Sequence, residues 1–250
     1  MAHTAFAPLR FVLLVLAAAA GSSCGSTAAE PAPDPTLRIL FIGNSLTYAN
    51  NLPALVEDLA RSDPSREIVV SSVAYGGYSL GDHWLRGDAQ RAIASARWDF
   101  VVLQQGPSAL PESRALLIED VKRFAGEIRK VGGRPAIYMV WPEMSRESAW
   151  DDVTASYTAA AEAVDGLLLP AGEALRAVRA AAPSIELFDT DQFHPSPAGS
   201  YAAALVIYAR MAQVSPLGLT AQAGGSTLPA STVAALEAGA NAAIAGVGGN

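Results

Sequence analysis

Apolar residues along this chain follow two rhythms. Unbroken runs of strand length recur at LRILFIG from Leu37, EIVVSSVA from Glu67, FVVLQ from Phe100, AIYMVW from Ala136, GLLLP from Gly166 and IELFD from Ile185. A strand with apolar side chains on both faces has to be covered on both, which is the habit of parallel sheets held between helical layers. The segments between these runs carry helical spacing. LPALVEDLAR places Leu52, Leu55, Val56 and Leu59 on one face, and ESRALLIEDVKRFAGEIRKVGG from Glu112 ends in a glycine stop. Further helices are expected from about Asp151 to Val164, from about Pro197 to Met211 and, rich in alanine, from Ser231. This alternation predicts a three-layer α/β/α sandwich around a mainly parallel, five-stranded, flavodoxin-like sheet, with ligands bound at the carboxyl ends of the strands.

The first residues break that pattern. Arg10 precedes the apolar run FVLLVLAAAAG, too short to span a bilayer, and Cys24 follows small residues and opens a linker rich in Ala, Pro, Ser and Thr. The arrangement resembles a bacterial lipoprotein signal, although Gly21 stands where that signal usually has Leu; the other reading is a plain signal peptide. The expected organisation is therefore a leader over residues 1–23, a linker over 24–36, one catalytic domain over 37–214, and an accessory helix with a Gly/Ala-rich tail over 215–250. Either reading of the leader sends the protein to the cell envelope or beyond, with membrane contact only through a lipid on Cys24.

Composition narrows the chemistry. Cys24 is the only cysteine, which excludes an intramolecular disulfide or a cysteine-based metal cluster. A net charge of −7 without clustered Lys and Arg excludes a general nucleic-acid binder. Only three histidines are present, His3, His83 and His194, and His3 belongs to the leader, so a multi-histidine metal site is not expected.

Two loops carry candidate chemistry. The first strand runs into Gly43-Asn44-Ser45-Leu46-Thr47 just ahead of a helix, which puts Ser45 in the ligand crevice, where by itself it reads first as a turn or capping serine and second as a nucleophile. At the far end, Asp191 and His194 lie three residues apart in DQFHPSPAG. There the carboxylate can hold one ring nitrogen while the other faces a serine hydroxyl, or the pair can simply order a turn. Asp189 competes as the carboxylate but sits closer to the strand. His83 is the rival base, without an Asp at matching spacing.

Together these blocks resemble the GDSL or SGNH hydrolases, with GNSL standing for the family's GDSL block and Asp191 and His194 for its closing block. The resemblance spans about Leu37 to Met211. It implies a serine esterase with Ser45 as nucleophile, His194 as base and Asp191 as its orienting partner, without metal or organic cofactor. It also implies an oxyanion hole from the backbone of Ser45, from Gly77, with Gly76 as fallback, and from a third block in which an asparagine is expected. Here that block reads LQQGPS, with Ser108 nearest the asparagine position, and Gln105, or failing it Gln104, is expected to donate its amide. Asn44 departs from the block's aspartate. Asn44, His83 and Trp141 are candidate substrate contacts. Export and the glutamine-bearing block point to O-acetyl groups on a glycan. A non-catalytic glycan- or protein-binding surface lipoprotein of the same fold, and a lipase or thioesterase, are the rivals.

Overall fold

The computed structural model describes residues 1–3, 36–62, 67–221 and 227–248. Residues 4–35, which hold Cys24 and nearly all of the expected leader and linker, lie outside the described residues. From Thr36 on, the described chain belongs to one compact unit, Asp34–Asn250; the other unit, Met1–Pro33, is represented by Met1–His3 alone.

Five parallel strands form the sheet: β1 (Thr36–Gly43), β2 (Glu67–Ala74), β3 (Phe100–Leu103), β4 (Arg134–Tyr138) and β5 (Leu167–Leu169), in the order β2-β1-β3-β4-β5. Ile39, Leu40, Phe41 and Ile42 are consecutive and all buried, so both faces of β1 are covered, as its unbroken apolar run predicts. The first crossover carries the chain to β2 on one side of β1 and the next to β3 on the other. The carboxyl ends of β1 and β3 therefore flank a topological switch point, where such sheets leave a crevice. The loops after Gly43 and Leu103 open there.

Nine α-helices occur among the described residues: α1 (Ser45–Tyr48), α2 (Leu52–Ala60), α3 (Leu80–Arg86), α4 (Asp88–Ala94), α5 (Pro111–Lys130), α6 (Trp150–Glu162), α7 (Ala171–Ala181), α8 (Pro197–Ala212) and α9 (Ala230–Gly246). Leu52, Leu55, Val56 and Leu59 form the buried face of α2. α2 packs on α8, and α8 on α7; α3, α4 and α5 pack together, and α5 on α6. α9 packs on α7 and α8 and belongs to the same unit.

Three expectations change. The run from Ile185 is not a strand. Leu187 and Phe188 are buried, but the chain there folds on itself, with Phe188 bridged antiparallel to Pro195 and Ser196 N–H donating to Leu187 O at 3.0 Å. β2 is half exposed, unlike β5, the other edge strand, which is buried throughout. Apolar spacing does not mark the helices α3, α4 and α7; α3 is held by a capping box between Ser79 and Asp82, and α4 follows Gly87, its N-cap, in left-handed conformation with φ 82°.

Candidate active site

Ser45 is placed by the way β1 turns into α1. Asn44 is extended and caps the helix, its Oδ1 accepting from Leu46 N–H at 3.1 Å. Ser45 is the first helical residue, so its own N–H has no partner within the helix. No side chain fits at Gly43, where a Cβ would lie 2.2 Å from Thr47 Oγ1 and 2.4 Å from Gln104 Oε1. After α1 the chain kinks through Asn50 and Asn51, both left-handed, at φ 51° and 54°.

The histidine arrives on the loop between α7 and α8. Asp189 N–H donates to His194 O at 2.8 Å and Gln192, with φ 60°, donates its N–H to Asp189 O at 2.9 Å, closing a tight loop ahead of the Ser196 cap on α8. Within it, Asp191 Oδ1 accepts from the N–H groups of Phe193 at 3.0 Å and His194 at 2.9 Å. Asp191 Oδ2 lies 2.5 Å from His194 Nδ1, and His194 Nε2 lies 2.8 Å from Ser45 Oγ. With the carboxylate on Nδ1, the neutral ring carries its proton there and presents the Nε2 lone pair to the serine hydroxyl. The His194 hydrogen bond, with the two backbone N–H groups, pulls Asp191 down to about 2, so it is a carboxylate at neutral pH. The competitor Asp189 turns its Oδ1 to Thr190 N–H at 2.7 Å and does not reach the ring.

Three outside groups fix this loop. Trp141 Nε1–H donates to Phe193 O at 2.9 Å, Met144 N–H to Gln192 O at 3.1 Å, and Asn50 Nδ2–H to Pro195 O at 2.8 Å. Asn50 thereby ties the segment after the nucleophile to the segment after the histidine. It is absent from the expected site residues, and its signal is only the Asn-Asn pair, a composition that tolerates left-handed backbone.

Tyr75, Gly76, Gly77 and Tyr78 form a turn closed by Tyr78 N–H on Tyr75 O at 3.2 Å, with Gly77 at φ 74°. Both glycines are exposed, and neither of their N–H groups is consumed within the described residues. Nothing lies within 4 Å of a Cβ built on Gly77, so conformation and not space selects glycine there. Tyr48 is half exposed and its hydroxyl lies against Gly76.

Several sequence expectations are corrected by burial. Gln104 is fully enclosed and saturated: its Oε1 accepts from Asn44 N–H at 2.8 Å and Thr47 Oγ1–H at 2.7 Å, and its Nε2 donates to Asn44 Oδ1 at 2.9 Å and Gln105 O at 2.6 Å. It has no hydrogen left for an oxyanion. Gln105 accepts from Leu80 N–H at 3.1 Å and donates once, to Ser108 Oγ at 2.9 Å, which leaves one amide hydrogen. His83 is neither base nor substrate contact. It is fully buried beside the Tyr75 and Tyr78 rings, its Nε2–H donates to Gly43 O at 2.7 Å, and burial lowers its pKa. Asn44 and Trp141 are likewise buried and act as braces, not as substrate contacts.

Among the described residues no cluster of His, Cys, Asp or Glu could hold a metal ion. A cavity of about 850 Å³ runs beside β5 between α6, α7 and α9 and is not lined by Ser45, His194 or Asp191. A smaller one, about 520 Å³, lies against the histidine loop and is lined by Asn50, Asp189, Gln192 and Pro195.

No protein-family model and no curated protein matches the chain. Among solved structures, a protein from Slackia heliotrinireducens assigned to the SGNH hydrolases is 31% identical, with a TM-score of 0.60, over 70% of this chain and 99% of that one. A lipase/acylhydrolase from Enterococcus faecalis (16% identity, TM-score 0.55, 72% and 98% of the two chains) shares the fold. So does a catalytic mutant of an acetylxylan esterase from Geobacillus stearothermophilus (17%, 0.52, 74% and 95%). With 31% identity across nearly the whole of the Slackia protein, this chain belongs to the SGNH hydrolase family, a family of serine hydrolases.

Proposed function

We propose that this protein is an esterase that removes short acyl groups, O-acetyl foremost, from a glycan through an acyl-enzyme on Ser45. The observation that carries the reading is the unbroken relay from Ser45 Oγ through the His194 ring to the Asp191 carboxylate. His194 Nε2 takes the hydroxyl proton as Oγ attacks the acyl carbon. The same nitrogen returns that proton to the sugar oxygen when its bond to the acyl carbon breaks. A water, deprotonated by Nε2, then attacks the acyl-Ser45 ester; the carboxylic acid leaves and Ser45 regains its proton. Asp191 keeps the ring oriented and stabilises it while it is charged. The oxyanion is assigned to the N–H groups of Ser45 and Gly77 and to the remaining amide hydrogen of Gln105.

A short acyl group is favoured because neither the cavity beside β5 nor the one at the histidine loop is lined by Ser45. The likeness to an acetylxylan esterase and the tyrosines around the Gly76-Gly77 turn favour a sugar as the alcohol. A fluorophosphonate probe should label the wild type and not Ser45→Ala. Acetylated polysaccharide should lose acetate with wild type and not with His194→Ala, and faster than long-chain p-nitrophenyl esters are cleaved. Absence of labelling in folded protein would mean a non-catalytic binding protein, and a preference for long chains a lipase or thioesterase. Export, with Cys24 lipidated, is proposed from the leader sequence alone; palmitate incorporation that vanishes in Cys24→Ala is its test.

A further inference from the structure

Asn44, which replaces the aspartate of the family's first block, is buried and uses every polar atom of its side chain. Oδ1 accepts from Leu46 N–H at 3.1 Å and from Gln104 Nε2 at 2.9 Å, and Nδ2 donates to Tyr78 O at 3.0 Å. The amide can stand only this way round, because Leu46 N–H can only donate and Tyr78 O can only accept. The Tyr75–Tyr78 turn is therefore fastened at both ends to the two residues before Ser45. Tyr75 N–H donates to Gly43 O at 3.1 Å at its start, and Asn44 Nδ2 holds Tyr78 O at its end. Between those anchors lie Gly76 and Gly77, whose N–H groups have no partner among the described residues. Gln104 is the counterpart of the clamp, spending three of its four hydrogen bonds on Asn44 and the neighbouring Thr47.

We infer that Asn44 is a positioning residue that holds the Gly76-Gly77 turn in register with Ser45, and that aspartate, the family's residue, cannot replace it in this chain. This rests on the esterase reading. A carboxylate at position 44 keeps both acceptor contacts but has no hydrogen for Tyr78 O. It turns an oxygen against that carbonyl beside a buried side chain, and the far end of the turn loses its anchor. Restoring the motif residue therefore slows the enzyme. The loss appears in the transition state, because the turn's N–H groups matter most once the oxyanion forms.

The test compares wild type, the nearly isosteric Asn44→Asp and Asn44→Ala on p-nitrophenyl acetate, with thermal unfolding as a check on folding. Phenylboronic acid serves as a tetrahedral probe, and amide exchange by NMR is followed at Tyr78. In both variants kcat should fall about 10- to 100-fold with KM within about twofold, and phenylboronic acid should weaken by a similar factor. Exchange of the Tyr78 amide should speed by about tenfold or more as the turn loosens. An active wild type with Asn44→Asp equal to it, or slowed with unchanged Tyr78 exchange and unchanged boronate affinity, overturns the clamp. A wild type without Ser45-dependent hydrolysis instead defeats the esterase reading, and the inference with it.

Discussion

Each residue of the relay is set by groups outside it. Asp191 spends one oxygen on two backbone N–H groups and offers the other to His194, so its orientation is fixed by its own loop. Asp191→Asn retains the size but removes the charge that steadies the imidazolium; kcat should fall about 100- to 10,000-fold, measured on an aryl acetate. The folded pKa of Asp191 lies below its unfolded value, so its contribution to stability is present above about pH 4 and disappears as pH falls toward about 2. Denaturant unfolding between pH 2 and 5 should show an acid limb for wild type that is shallower in Asp191→Asn. Trp141 works at one remove, through Phe193 O. Trp141→Phe should cost about 1–2 kcal/mol in urea unfolding, since a buried carbonyl loses its donor, and should lower kcat more than it changes KM.

At the scale of elements, the apolar pattern finds the five strands and most of the long helices but not α7, although Ala174, Leu175 and Val178 bury one of its faces. α2, α5, α6, α8 and α9 lie close to their expected ranges. The run from Ile185 has the composition of a strand, yet its backbone bonds go to its own loop, because β5 already ends the sheet. α9 is pressed so closely on α7 that a Cβ at Gly239 would lie 2.3 Å from Val178 Cγ2 and 3.0 Å from Ala174 O. Gly239→Ala should therefore push the helices apart at a cost of about 1–3 kcal/mol, read as a lowered Tm, while kcat/KM at 25 °C stays within about threefold of wild type.

For the whole molecule, one buried histidine gives stability a pH dependence of definite sign. Burial lowers the His83 pKa in the folded state, against the raising effects of the Gly43 carbonyl and of Asp82 and Asp88; Arg86 lowers it further. The unfolded chain then binds the proton more readily, so stability is full above the unfolded value of about 6.5 and falls as pH drops below it. Thermal unfolding from pH 8 to 5 should show a decline for wild type that is reduced in His83→Gln; equal slopes would remove His83 as the cause.

The sequence by itself determined the layered α/β class, since unbroken apolar runs alternating with amphipathic segments leave few other ways to cover both faces of a sheet. The three residues that meet are legible in it through the resemblance of GNSL and DQFHPSPAG to the family's first and closing blocks, since spacing alone leaves each open as a turn or cap. Only the tertiary structure decided what the other polar residues do. Gln104, His83, Asn44 and Trp141 read as site chemistry in one dimension, yet each is buried: Gln104, Asn44 and Trp141 bond to backbone or neighbouring side chains, and His83 Nε2–H donates to Gly43 O. Burial and hydrogen-bond direction depend on which strands become neighbours at the switch point, and local spacing carries no record of that choice.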